Sequence, residues 1–390
     1  MESYNKIAFI TWDSPETNYL ETLFLPIFKE LNSTYNYQFY VIQFSWLSAE
    51  AIKTRTELVQ SYGFNFLYIP VSLKPIATIG KFLTIFKHIK TIQNYCNQHQ
   101  INWVMPRSLM PALLVNNCSF KTAKIIYDAD GLPIEERLES NLLKNNGLLH
   151  KFYEKIQRKI IEKAQVVITR STFANQYLSS KYNQPLTKFY KVVNGKSNEQ
   201  FFYNEKLRQQ IRLQLNIKPE ITVFIYCGSI GPKYQITEML SIFKSYYERN
   251  SNTKFIILSN QVHLITTEHP DIIKLSVASK KVVEYLNAAD VGLALITESK
   301  SMKAAAAIKH AEYLMCGVPT ILTEVGDVLN VTETTPYIYH YSQESQPKNI
   351  DDFIEKSLNF NREEIASQAK KYFSIENAAL TYYNALCQNK

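Results

Sequence analysis

The chain of 390 residues is poor in cysteine and has no long apolar run, and each shortage excludes something. Its five cysteines, Cys96, Cys118, Cys227, Cys316 and Cys387, fall without metal-ligand spacing. They indicate neither a zinc site nor a disulfide framework and read as reduced core thiols. No uninterrupted run of about 18 apolar residues occurs, which argues against a spanning helix. No charged-then-apolar leader opens the chain, so the expected location is the cytoplasm. Low-complexity segments and internal repeats are also missing.

Carboxylates are scarce in one half only. Residues 1–194 carry 22 Lys+Arg against 14 Asp+Glu, whereas residues 195–390 carry 21 of each, so the whole net charge of +8 sits in the first half. Nucleic acid, an anionic membrane surface or a phosphorylated acceptor would each suit a one-sided field. A nucleic-acid binder is expected to cluster arginines among exposed aromatics, which this chain does not do. What is plentiful is apolar residues, 46% of the total, enough for sizeable cores. At this length the chain should divide into two domains, because single cores stop growing at roughly 250–300 residues.

The apolar pattern alternates between strand and helix. Strand-like runs occur at Lys6–Thr11, Tyr37–Phe44, Phe64–Ile69, Trp103–Met105, Ala123–Tyr127 and Val166–Thr169, with helical spacing at Tyr19–Leu31, 78–98, 110–118 and 148–164. The rhythm restarts at Val223–Gly228 and continues through Phe255–Ser259, Val291–Ile296 and Thr320–Leu322. Alternation of this kind means parallel sheets, so the predicted fold is α/β with two Rossmann-like domains facing a cleft. The domains are expected at 1–194 and 195–372, with a last helix at 373–390 packing back on the first.

One segment carries the sharpest chemistry. In Ala306-Ala307-Ile308-Lys309-His310-Ala311-Glu312-Tyr313-Leu314-Met315-Cys316-Gly317-Val318-Pro319, Lys309 and Glu312 lie three apart on a short helix ended by Gly317 and Pro319. The cation and the free amides of the helix start suit a phosphate, and the carboxylate can accept from the hydroxyls of a ribose. The alternative is a solvated surface ion pair. Apolar strands on either side favour the nucleotide, because open α/β sheets bind ligands beside such strand ends.

Several segments together resemble the retaining GT-B glycosyltransferases of family 4, in a branch that makes polysaccharide or lipid-linked saccharide. Lys309–Pro319 looks like the donor motif K-x-x-E-Y-L-A-x-G-x-P-V. Cys227-Gly228-Ser229-Ile230-Gly231-Pro232-Lys233-Tyr234 resembles the family's G-S-L-G turn, and Tyr285-Leu286-Asn287-Ala288-Ala289-Asp290 its Y-L-x-x-A-D segment. Val192-Val193-Asn194-Gly195, with Phe201 downstream, resembles the interdomain strand and turn. In the first half, Arg107-Ser108, Asp128-Ala129-Asp130-Gly131 and Glu135-Glu136-Arg137 resemble acceptor-side loops.

The departures are informative. Ala304 replaces the first glutamate of an E-x7-E pair, so the donor sugar does not follow by analogy. Ala307 stands for a common proline, Ser229 for a phosphate-binding arginine, and Asp130 for a His or Arg. The glycine-rich loop after the first strand is missing too, since Thr11-Trp12-Asp13-Ser14-Pro15 holds no glycine.

The resemblance implies metal-independent transfer of a sugar from a nucleoside diphosphate donor to a saccharide or lipid-linked acceptor, with no further cofactor. Lys309 and Lys233 are the expected cations for the leaving diphosphate, since fixed charge in a dry cleft stabilises a leaving anion. Asp130 completes the expected catalytic set. Glu312, Gly228, Ser229, Ala306, Ala307, Ile308 and Tyr313 are the expected nucleotide contacts, and Arg107, Ser108, Asp128 and Gly131 the acceptor side. Two rivals stand beside this reading: Asp128-x-Asp130 as a divalent-metal pair on a diphosphate, and a non-catalytic binding protein on a degenerate transferase fold. The helix around His88, with Phe82, Ile85, Phe86 and Ile89 flanked by lysines, suits either the membrane interface or ordinary packing on a sheet.

Overall fold

The computed structural model describes residues 5–306, 308–331 and 334–387, which form two compact units. The first comprises Met1–Gly195 and Ile375–Lys390, the second Lys196–Ser374.

The first unit runs β1 (Asn5–Trp12), α1 (Leu25–Tyr35), β2 (Tyr37–Ser45), α2 (Ala49–Ser61), β3 (Asn65–Pro70), α3 (Ala77–Lys87), α4 (Ile89–Gln98), β4 (Trp103–Pro106) and α5 (Leu109–Asn116). It continues through β5 (Lys124–Asp128), α6 (Pro133–Glu139), α7 (Leu148–Lys163), β6 (Val166–Thr169), α8 (Thr172–Tyr182) and β7 (Phe189–Lys191). Its seven strands are parallel in the order β3-β2-β1-β4-β5-β6-β7. The order reverses between β1 and β4, the place where sheets of this kind bind ligands. Central strands such as β1 are buried on both faces and read as unbroken apolar runs for that reason.

In the second unit α9 (Glu205–Gln214), β8 (Thr222–Cys227), α10 (Ile236–Tyr247), β9 (Thr253–Leu258), β10 (Ile272–Leu275), α11 (Val282–Ala288) and β11 (Val291–Ala294) are followed by α12 (Lys300–Lys303) and α13 (Ile308–Met315). Then come β12 (Thr320–Leu322), β13 (Ile338–His340), α14 (Pro347–Ser357) and α15 (Arg362–Phe373). Its six parallel strands take the order β10-β9-β8-β11-β12-β13, reversing between β8 and β11. The last helix, α16 (Ile375–Cys387), belongs to the first unit, where Tyr383 stacks on Tyr35 of α1 with ring centroids 4.2 Å apart.

Three sequence expectations need correction. The helical stretch 78–98 is two helices, because the chain turns at His88 (φ −100°, ψ 5°) with no proline or glycine to announce it. The supposed single face of Phe82, Ile85, Phe86 and Ile89 is divided: Ile89 opens α4, and within α3 itself Ile85 is buried whereas Phe86 is 51% exposed. The strand read as Val291–Ile296 ends at Ala294, and Ile296 instead bridges Tyr234 in the antiparallel sense.

Candidate functional site

In the second unit the loops following β8 and β11 converge at the sheet's reversal point. Helix α13 starts at Ile308, after a turn in which the Ile308 amide donates to the Ala306 carbonyl at 2.9 Å. Ala307 lies outside the described residues. Gly317 ends the helix in the left-handed region (φ +70°), its amide donating to Leu314 O and that of Val318 to Tyr313 O. That is the Schellman arrangement expected of a glycine C-cap.

Lys309 and Glu312 do share a face. Lys309 Nζ is 3.1 Å from Glu312 Oε2, and Lys196 Nζ, from the start of the unit, is 2.7 Å from Glu312 Oε1. Glu312 is nearly buried, whereas the Lys309 side chain keeps 39% of its exposure. Burial works against the Glu312 charge, but the two lysines outweigh it and hold the carboxyl below its usual range. Lys309 is likewise raised, its burial more than offset by Glu312. The carboxylate is therefore ionised at neutral pH, with lone pairs left to accept from hydroxyls.

Lys196 is the residue that sequence reasoning missed. Its signal was weak: one lysine directly after Asn194-Gly195. Its backbone amide donates to Phe373 O at 2.8 Å and its ammonium lies 5.5 Å from the Phe201 ring centre, so the side chain is aimed at Glu312 from a fixed base.

Tyr313 is fully buried, and this corrects its expected place among ligand contacts. Its hydroxyl accepts from the Cys227 amide at 2.8 Å, tying α13 to the end of β8. The ring passes over Gly292 of β11, where a Cβ would come within 2.4 Å of it. Only glycine fits there.

The turn after β8 is locally braced, since Tyr226 Oη donates to Ser229 O at 2.6 Å and Tyr234 N to Gly231 O at 2.9 Å. Gly228 is half-buried, Ser229 and Lys233 are exposed, and the Cys227 thiol next to them feels the charges of Lys309, Glu312 and Lys196. The Asp290 of the Y-L-x-x-A-D segment is scaffold: it accepts from the Val223 amide and from Arg208 and Arg212.

The first unit carries its own charged cluster, again at a reversal point. Asp13 follows β1, Arg107 follows β4, Asp128 ends β5 and Arg170 follows β6. Arg170 pairs with Asp128 at 2.8 Å and lies 3.7 Å from Asp130; Arg107 pairs with Asp130 at 2.5 Å and lies 3.8 Å from Asp13. Asp13 also accepts from Gln43 and Thr11. Asp128 is wholly buried, its other oxygen taking the Asp130 amide, so it braces the loop and has no surface for an acceptor. Burial raises its pKa, against the pull of Arg170.

Asp130 is the partly exposed member, at 36%, and it sits in the left-handed region (φ +64°). Ser108 has φ 65° and ψ −167°, a region nearly confined to glycine. Strain of that kind collects at working sites. Gly131 is half-buried beside them. Asp13 and Arg170 were not foreseen as members; each follows an apolar strand, and only the sheet order brings them together.

No model of a known protein family matches the chain. A Bacillus subtilis protein described as "Putative teichuronic acid biosynthesis glycosyltransferase TuaH" is 24% identical over 261 residues, 64% of this chain. The chain spans 62% of that relative's length in the match. Among solved structures, a glycosyltransferase from Rickettsia africae has a TM-score of 0.71 at 12% identity, covering 100% of this chain and 99% of its own. Anabaena HepE in complex with UDP and glucose has 0.69 at 12%, covering 99% and 100%. WaaG, a glycosyltransferase involved in lipopolysaccharide biosynthesis, has 0.63 at 16%, covering 97% and 98%. What the chain shares with these structures is the fold, the two α/β units of the GT-B glycosyltransferases.

Proposed function

We propose that the chain is a retaining, family-4-type glycosyltransferase that moves a sugar from a nucleoside diphosphate donor to a saccharide or lipid-linked acceptor, presented at the inner face of a membrane. The observation that carries the reading is Glu312 held between Lys196 and Lys309 at the reversal point of the second sheet. A buried, ionised carboxylate can take both hydroxyls of a ribose, while Lys309 stands one turn nearer the helix start, where a diphosphate would lie. Lys309, with Lys233 in the neighbouring turn, stabilises the departing diphosphate electrostatically. No carboxylate acts as nucleophile; the leaving phosphate takes the acceptor proton on the donor's own face. On the acceptor side, Asp130 and Arg107 offer an acceptor and a donor of hydrogen bonds to hydroxyls, steadied by Asp128 and Arg170.

HepE is in complex with UDP and, in a second structure, UDP-glucose, so uridine leads the donor panel. The test is thermal stability with UDP, GDP and ADP, each with and without chelator, followed by a donor screen read by released nucleoside diphosphate. A nucleotide-dependent rise that survives chelation is expected. No rise with any of the three would remove the donor site, and a rise that needs a divalent ion would overturn metal independence.

A further inference from the structure

The first half of the chain carries the excess of cations, but at the reversal point of the first sheet the sign is turned around. Arg107 and Arg170 stand there against Asp13, Asp128 and Asp130, and both guanidiniums are already taken up by these carboxylates. Of the three acids, Asp130 alone reaches solvent. An arriving phosphate would meet that carboxylate with neither arginine free to receive it.

Beside the cluster stands Tyr19, 44% exposed. The Arg107 guanidinium lies over its ring, 5.4 Å from the ring centre, and over the Phe24 ring at 5.1 Å. The cation thus takes one face of Tyr19 and leaves the other face and the rim to water. Tyr19 and Asp130 flank the same guanidinium, so their separation is one that one or two pyranose rings span.

The ring is held in place. Tyr19 ends the loop after β1 and leads into Leu20–Phe24, a π-helical turn ahead of α1, a type of turn frequent at functional sites. Asp13 N donates to Phe44 O at 3.1 Å and Ser45 Oγ to Asp13 O at 2.8 Å, which fastens the start of the loop to β2. Arg55 of α2 fastens its end, pairing with Glu21 at 2.5 Å and donating to Thr17 O at 3.4 Å.

We propose that Tyr19 is the platform on which an uncharged pyranose ring of the acceptor stacks, while Asp130 accepts hydrogen bonds from the acceptor's hydroxyls. The chemistry selects this ligand. An aromatic face is apolar and electron-rich and suits the C–H side of a sugar, and an ionised carboxylate only accepts, so it suits hydroxyls. A phosphate or uronate group placed there would face Asp130 across a like-charge repulsion. The proposal deepens the transferase reading by naming the class of its acceptor, and rests on it only for what becomes of the bound sugar.

The test is saturation-transfer NMR of the full chain, with and without UDP. The probes are methyl glucoside, methyl galactoside, methyl N-acetylglucosaminide and cellobiose, beside glucose 6-phosphate and glucuronate. At least one neutral probe should bind about tenfold or more tighter than the two anions. Tyr19→Phe keeps the face and should stay within about twofold of the parent, whereas Tyr19→Leu keeps only apolar bulk and should lose about tenfold. Asp130→Asn, which the left-handed backbone accepts, should also lose about tenfold and narrow the gap between neutral and anionic probes. Melting temperatures close to the parent's separate lost binding from lost folding. Equal binding by Tyr19→Leu and Tyr19→Phe would reduce the ring to packing on Arg107 and overturn the proposal. So would anions that bind as tightly as the neutral sugars, or no neutral probe bound in either condition. Sugar binding by a protein that shows no nucleotide-dependent rise in melting temperature would keep the platform and reject the transferase reading; a nucleotide-dependent rise without sugar binding would do the reverse.

Discussion

The two units solve the same placement problem with different cations. Each gathers charge where its parallel sheet reverses, but the first uses arginines and the second lysines. In the first, Arg107 and Arg170 are themselves pinned by three aspartates, two of them buried, so the guanidiniums form a frame. In the second, Glu312 is fixed by two ammonium groups, one of which keeps more than a third of its surface in water. A planar fork with several donors suits a rigid frame, whereas a compact ammonium on a flexible stem can turn from a carboxylate to an arriving phosphate. The difference separates charge that builds a site from charge that can be lent to a ligand.

Breaking the frame should cost the most. Arg170→Met leaves Asp128 buried without its guanidinium, and the loss of stability should be about 3–5 kcal/mol, read from urea unfolding. A loss under about 1 kcal/mol would mean that the pair is as dispensable as a surface bridge. In the second unit the order should invert. Lys309→Ala should abolish the nucleotide-dependent rise in melting temperature while changing stability by less than about 1 kcal/mol, because its pair with Glu312 is partly solvent-screened. Retained nucleotide binding in that variant would remove the distinction between frame and lent charge.

Lys196→Met tests the same contrast more finely. Glu312 would keep one ammonium, its carboxyl pKa would climb toward the ordinary range, and nucleotide affinity should fall about tenfold by calorimetry, with the fall steepening in mild acid. Unchanged affinity would make Lys196 a mere surface neighbour. The smallest effect at neutral pH belongs to His310, fully buried on α13 with both ring nitrogens unpartnered and its pKa lowered by burial from 6.5 to about 3. Here α13 hides a neutral imidazole beside the buried charge of Glu312. The unfolded chain takes up the proton first, so this contribution is complete above pH 6.5 and is lost as pH falls toward 3, with a slope of about 1.4 kcal/mol per pH unit. His310→Phe should flatten the acid limb of a stability-versus-pH curve; an unaltered limb would show that other groups set it.

The donor-side motif was legible because its parts are contiguous: Lys309, Glu312 and Gly317 follow one another at helical spacing. The sheet strands were legible for a related reason, since central strands buried on both faces appear as apolar runs. Helices with thin buried faces were not; α2 contributes only Val59 to the interior, too little for periodicity to register. Lys196 escaped because it meets Glu312 from 116 residues away. In the first unit, Arg107 and the Asp128-x-Asp130 pair drew notice as local motifs, but Asp13 and Arg170 join them only through strand order, which no local pattern encodes.

One position in β11 has an effect out of proportion to its size. Because Gly292 offers no side chain, the Tyr313 ring can lie flat over the strand and deliver its hydroxyl to Cys227, and the helix that carries Lys309 and Glu312 is seated accordingly. A survey of tolerated substitutions would rank position 292 alongside true ligand contacts, although nothing bound at the site would ever touch it. Intolerance to change and contact with substrate are thus separate properties in this protein, and a map of the first drawn as if it were the second would overstate the size of the binding surface.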